Sequence, residues 1–196
     1  MKKKLEEIKK IISETIELKK EIQQENYLKN IYDIAQIIFH TLKKDKKILL
    51  CGNGGSAADC QHWVGEMIGR FKKERKSLRF ISLTTNTSTL TSISNDYSYD
   101  YVFARQVEGI GEKGDILICI STSGKSNNII KAAKLGKNIG MKIISLTGKS
   151  PNPLSEISDY NISVPSIETP RIQEVHILLI HLICGIVEEE FTANEN

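Results

Sequence analysis

The chain has 196 residues, 40% apolar and 26% charged, which suits one soluble globular domain with a substantial core. Its formal net charge is only +3, and the lysines of Met1–Lys4 and Lys43–Lys47 lack interleaved aromatics, so no nucleic-acid partner is expected. No run of about 18 apolar residues and no signal-peptide pattern occur, so no membrane partner is expected either. Cys51, Cys60, Cys119 and Cys184 lack C-x-x-C spacing and read as reduced thiols of a cytoplasmic protein.

Leu5, Ile8, Ile12, Ile16 and Ile22 predict an amphipathic helix, and a second is predicted from Tyr27 to Leu42, joined at Gln23–Asn26. Residues 1–44 therefore read as an N-terminal helical pair. From Lys47 onward, apolar runs alternate with helical segments: KILLC (47–51), LRFISLT (78–84), DILICIS (115–121), KIISLT (142–147) and the weaker YNISVP (160–165). Continuous apolar strands separated by helices predict an α/β fold, a doubly wound five-stranded parallel sheet covered on both faces. Residues 45–196 would form this core, and 1–196 a single domain. Such sheets bind ligands beyond the carboxyl ends of their strands, here the loops after Cys51, Thr84 and Ile120.

The stretch Cys51 to Arg70, CGNGGSAADCQHWVGEMIGR, is the most informative. Asn53, Gly54 and Gly55 permit a turn that other residues resist, and Ser56 reads as a helix N-cap with Asp59 three residues on. A strand turning through glycines into a helix N-terminus offers free N–H groups to an anion. On that helix His62, Glu66 and Arg70 recur every four residues and share a face. A His and a carboxylate one turn apart can bind a metal or divide acid–base work. The same stripe would also suit a solvated helix face, but its start one turn past the loop favours chemistry.

Two nucleotide motifs fail on inspection. Gly124-Lys125-Ser126 and Gly148-Lys149-Ser150 end like a Walker A loop, yet Cys119 and Ile143 stand where its first glycine belongs. Gly52-x-Gly54-x-x-Ala57 fits a relaxed dinucleotide fingerprint, but no Asp or Glu lies between Glu74 and Asp96 to hold a ribose. The better anion loop is STSGKS. Hydroxyls of Ser121, Thr122, Ser123 and Ser126, with backbone N–H groups, can converge on a terminal phosphate. Asn95-Asp96, after a predicted helix Ser88–Ser94, offers polar groups to sugar hydroxyls.

Thr169-Pro170 opens a last helix. It is apolar nearly all round from Ile177 to Val187, which predicts burial between subunits. Gln173, Glu174, His176 and His181 are unusually polar for that setting. His176 and His181 are about 140° apart around the axis, and the wheel slightly favours Glu174 over Gln173 as the partner of His181. A satisfied core histidine is the plainer reading at such positions, more so for His40 in IIFHTL.

With CGNGGSAAD, QHxxxE, NDY, ISTSGKS and RIQEVHxxxxH in this order over nearly its whole length, the chain resembles the phosphoheptose isomerases, members of the sugar-isomerase (SIS) domain group. The resemblance implies that Asn53, Gly54, Gly55, Asn95, Asp96, Ser121, Thr122, Ser123 and Ser126 contact substrate. It implies a zinc among His62, Glu66, Gln173 and His181. Glu66 and His181 would also move protons, and Glu66 and Gln173 would touch substrate. A homotetramer with active sites at subunit interfaces is implied as well. Some members carry an acidic residue before the Arg of RIQE, where this chain has Pro170. The reaction implied is conversion of sedoheptulose 7-phosphate to D-glycero-D-manno-heptose 7-phosphate, which feeds bacterial surface heptose in lipopolysaccharide or capsule. Two alternatives stand beside it: a non-catalytic relative that binds a replication-initiator protein, and a sugar-phosphate-sensing module.

Overall fold

Strands read as unbroken apolar runs where both faces of the sheet are covered. The computed structural model describes residues 1–193. Helices α1 (Lys2–Glu21) and α2 (Glu25–Lys43) lead into β1 (Ile48–Gly52), α3 (Gly55–Ile68), β2 (Phe80–Ser82) and α4 (Thr87–Asp96). A 3-10 turn at Tyr99–Tyr101 precedes α5 (Ala104–Ile110), β3 (Ile116–Ser121), α6 (Asn127–Ile139), β4 (Lys142–Thr147), α7 (Pro153–Ile157), β5 (Tyr160–Ser163) and α8 (Thr169–Ala193). The strands form one parallel sheet in the order β2-β1-β3-β4-β5. Alternate residues serve opposite faces, as the strand period of two requires. Ile48, Leu50, Ile116, Ile118 and Ile120 pack with α2, α3 and α8, while Leu49, Cys51, Leu117 and Cys119 pack with α5 and α6.

The expected five-stranded parallel α/β architecture is present, and β4 coincides with KIISLT. The second strand is shorter than LRFISLT. As an edge strand it pairs only with Ile48–Leu50 of β1, and Ile81 is exposed, so nothing extends its ladder. The first-turn assignment on α3 also shifts: Gly54, not Ser56, is the N-cap, and Ser56 lies buried inside the first turn. Arg70 leaves the His62–Glu66 stripe because α3 ends at Ile68. Its guanidinium instead lies 3.5 Å from exposed Glu74.

Much of the apolar surface of α8 is intramolecular core rather than subunit interface. Ile180, Ile183, Cys184 and Val187 are fully buried within the chain, in the cluster that includes residues of α2 and α3. Only Leu182 among the large apolar residues of α8 is strongly exposed. The larger exposed stripe is on α1, where Leu5, Ile8, Ile12 and Ile16 are each about half exposed. Among the described residues no helix is long and apolar enough to cross a membrane.

Candidate active site

The strand order reverses direction between β1 and β3, and in open parallel sheets that switch point opens a crevice at the carboxyl ends. A cavity of about 290 Å³ lies there, lined by Asn53, Gly54, Gly55, Ser121, Thr122, Ser123, Ser126 and Gln173. Gly54 adopts φ +55°, a left-handed conformation that glycine takes without steric cost, and this turns β1 sharply into α3. Gly55, Ser126 and Thr169 are the first or capping residues of α3, α6 and α8, and all three line the cavity. Three helix N-termini thus converge on one space, each presenting a positive dipole end.

The hydroxyls of this space are only partly committed. Ser126 makes no capping bond, and its Oγ lies 3.3 Å from Ser121 Oγ. The N–H of Gly124 donates to Ser121 Oγ, and that of Lys125 to Ser123 Oγ, each at 3.1 Å. Asn53 is held by a reciprocal amide pair with Asn128, both bonds 2.9 Å, and Tyr99 donates its hydroxyl to Asn53 Oδ1 at 2.9 Å. Sequence reasoning missed Asn128 and Tyr99, because no local spacing marks either as facing Asn53.

Helices α3 and α8 run side by side in the same direction. Gln173 crowds Gly55 so closely that a Cβ there would fall 2.3 Å from Gln173 Nε2. Seven residues further along α3, His62 Nε2 lies 2.9 Å from His181 Nε2, and Glu66 Oε1 is 3.3 Å from His62 Nε2. One ligand atom from each of His62, Glu66 and His181 lies within 4.8 Å of the others. Nearby Asp59 has a buried Oδ2 without a hydrogen-bond partner. Burial pushes its pKa up to about 6, against the opposing effect of the His62 imidazole.

The other marked residues go elsewhere. Glu174, favoured by the wheel, turns away to Arg171 Nη2 at 2.5 Å and to the Thr15 hydroxyl of α1 at 3.0 Å. His176 is a core histidine: fully buried, its Nε2 donates to the Thr147 carbonyl at 3.2 Å. Burial lowers its pKa to about 4 and keeps it neutral. His40, expected in the core, is exposed on α2. Asn95 and Asp96 do not follow a helix but form the last turn of α4. They are exposed, bonded to each other at 2.9 Å, and outside the cavity lining.

A SIS domain family model matches residues 10–148. The chain is 55% identical over 158 residues to a phosphoheptose isomerase of Aliarcobacter butzleri (strain RM4018), covering 81% of this chain and 84% of that protein. Among solved structures, phosphoheptose isomerase GmhA from Neisseria gonorrhoeae superposes with a TM-score of 0.89 at 40% identity, covering 94% of this chain and 98% of the other. A phosphoheptose isomerase from Francisella tularensis does so with a TM-score of 0.91 at 34% identity, covering 95% and 98%. The chain therefore belongs to the SIS-domain family, in its phosphoheptose isomerase branch.

Proposed function

We propose that this protein is an aldose–ketose isomerase that converts sedoheptulose 7-phosphate to D-glycero-D-manno-heptose 7-phosphate, an early step toward bacterial surface heptose in lipopolysaccharide or capsule. The observation that carries this reading is the groove itself. Three helix N-termini and the Ser121–Ser126 hydroxyls meet at one end, and Glu66 stands with two imidazoles further along the same helix pair.

The Ser121, Thr122, Ser123 and Ser126 loop takes the phosphate dianion, with the N–H groups of α6 completing its shell. Asn53, Gly54 and Gly55 shape the neighbouring wall, Gln173 faces it from α8, and Asn95 and Asp96 are assigned to sugar hydroxyls. Glu66 removes the proton from C1, giving an enediol, and a proton returns to C2. His181 acts as the acid for the oxygen-bound protons, moving one from O1 to O2 in net terms. Such a pair supplies about 10²–10⁴ in rate.

Two imidazole nitrogens and a carboxylate form a donor set that fits zinc. His62, Glu66 and His181 would hold it, with Gln173 as the further donor that the family implies. Bound there, zinc supplies Lewis-acid stabilisation of oxyanion charge. A ring nitrogen that lends its lone pair to a metal cannot deliver a proton at the same moment, so the two roles of His181 exclude each other at Nε2.

We treat residues 1–196 as one domain, since α2 belongs to the same core cluster as β5 and α8. The exposed apolar stripe of α1 supports a homotetramer, with active sites at its interfaces. The four buried free thiols suit the reducing cytoplasm. A sensing module or non-catalytic relative would have no use for a base beside two histidines, as Glu66 stands. Glu66→Gln keeps the shape and removes the base, so turnover of sedoheptulose 7-phosphate should fall at least about 100-fold. Near wild-type turnover in a folded Glu66→Gln variant would remove Glu66 from the chemistry.

A further inference from the structure

Beyond α3 the chain runs from Arg70 to Arg79 without helix or strand, yet it is pinned to α8. Glu188, only 2% exposed, accepts the backbone N–H of Phe71 at 2.9 Å, of Lys72 at 2.8 Å and of Lys73 at 2.9 Å. The Arg75 guanidinium, with Nε 3.6 Å from Glu188 Oε1, donates to the carbonyls of Glu66 at 2.8 Å, Met67 at 2.9 Å and Gly69 at 3.1 Å. It thereby ties down the last turn of α3, the turn that carries Glu66. A buried ion pair is weak evidence for stability, so what it positions is the more telling question.

It positions a ring. Phe71 stacks on the imidazole of His181, with centroids 5.7 Å apart and planes at 26°, an offset-stacked geometry. A Cβ at Gly185 would lie 3.6 Å from Phe71 Cε1, at ordinary van der Waals distance, so the ring lies over this position of α8. His181, Gly185 and Glu188 fall at i, i+4 and i+7 on α8 and form one stripe. That stripe meets the Phe71 ring with its first two members and the Phe71 backbone with the third. The same imidazole meets the His62 ring edge-on, at 5.1 Å and 63°.

We infer that Phe71 is a positioning residue, which fixes the plane of the His181 imidazole so that Nε2 is aimed at His62 and Glu66. Glu188 and Arg75 hold Phe71 in register. This inference rests on the active-site reading above. None of the three lines the phosphate cavity, so their effect reaches the chemistry only through His181 and the end of α3.

The test compares the full-length wild type with Phe71→Leu, Phe71→Met and Phe71→Tyr. Zinc affinity is read by chelator competition, kcat and KM with sedoheptulose 7-phosphate, and folding by melting temperature. Leu and Met keep apolar contact but lack a plane, and Tyr keeps the plane. Loss of a group that orients a metal ligand costs about 10–100-fold in affinity or activity. In Phe71→Leu and Phe71→Met the zinc dissociation constant should therefore rise about 10-fold and kcat should fall by a similar factor. KM should stay near wild type, and Phe71→Tyr should restore both. If the wild type takes up no zinc, kcat alone decides. Wild-type kcat and zinc affinity in either folded non-planar variant would overturn the inference, as would Phe71→Tyr as impaired as Phe71→Leu at matched melting temperature. His181→Asn separates the two levels. Full turnover in that variant sinks the active-site reading, whereas its inactivity beside a normal Phe71→Leu sinks the positioning role alone.

Discussion

Gly55→Ala puts the α3–α8 groove to a test in which stability and activity part company. Gly55 opens α3 without a left-handed φ, so alanine suits its backbone, and in a helix the exchange can gain up to about 1 kcal/mol. The added methyl, however, would sit 2.3 Å from Gln173 Nε2, 3.0 Å from its Cδ and 3.2 Å from its Oε1. Non-bonded heavy atoms settle near about 3.5–4 Å, so the amide must retreat by roughly 1 Å. It is the free end of a flexible side chain facing the cavity, so the retreat costs little in folding. In a reacting site a displacement of about 1 Å can cost about 100-fold, equivalent to about 2.7 kcal/mol of barrier. Turnover of sedoheptulose 7-phosphate and thermal melting would be measured for Gly55→Ala, Gln173→Ala and the double variant. The expected result is an unchanged or higher melting temperature with turnover down about 100-fold. The double variant should be no worse than Gln173→Ala alone, because the clash has lost its partner. Full turnover in Gly55→Ala would refute a role for the Gln173 amide. A melting temperature lowered by many degrees would refute the claim that the amide is what yields.

Replacing Ser123 and Ser126 together by alanine should raise the dissociation constant for sugar phosphate, since each hydrogen bond to a charged group contributes about 1.5–3 kcal/mol. Unchanged affinity by calorimetry would move the phosphate away from the loop. Ile12→Asp, on the half-exposed stripe of α1, should leave each subunit folded and lower the mass seen by light scattering. An Ile12→Asp protein that assembles like the wild type would clear α1 of the interface, and a fully active wild-type monomer would end the tetramer proposal.

What could be read in the chain depended on the range of the interaction. KIISLT was legible as a strand because burial on both sheet faces leaves an unbroken apolar run, and β4 occupies that run. LRFISLT carried the same signal but became three residues of edge strand, since pairing is decided by the neighbour and not by the strand. The glycine turn, the STSGKS loop and the i, i+4 pair of His62 and Glu66 were legible because each is complete within one or two turns of chain. On α8 the wheel pointed to Glu174, but which side of a helix meets which neighbour is a tertiary fact. Arg171 and Thr15 take Glu174, and Gly55 meets Gln173. The same limit hid Glu188. In VEEE it is the first of three adjacent carboxylates, and no local spacing separates it from the other two. In the fold, Glu188 is buried beneath residues 70–79 and Glu189 is exposed. Periodicity reports which side chains share a face. A candidate site divided between α3 and α8 also depends on what that face meets, and the Phe71 contact with His181 exists only once the two helices are packed.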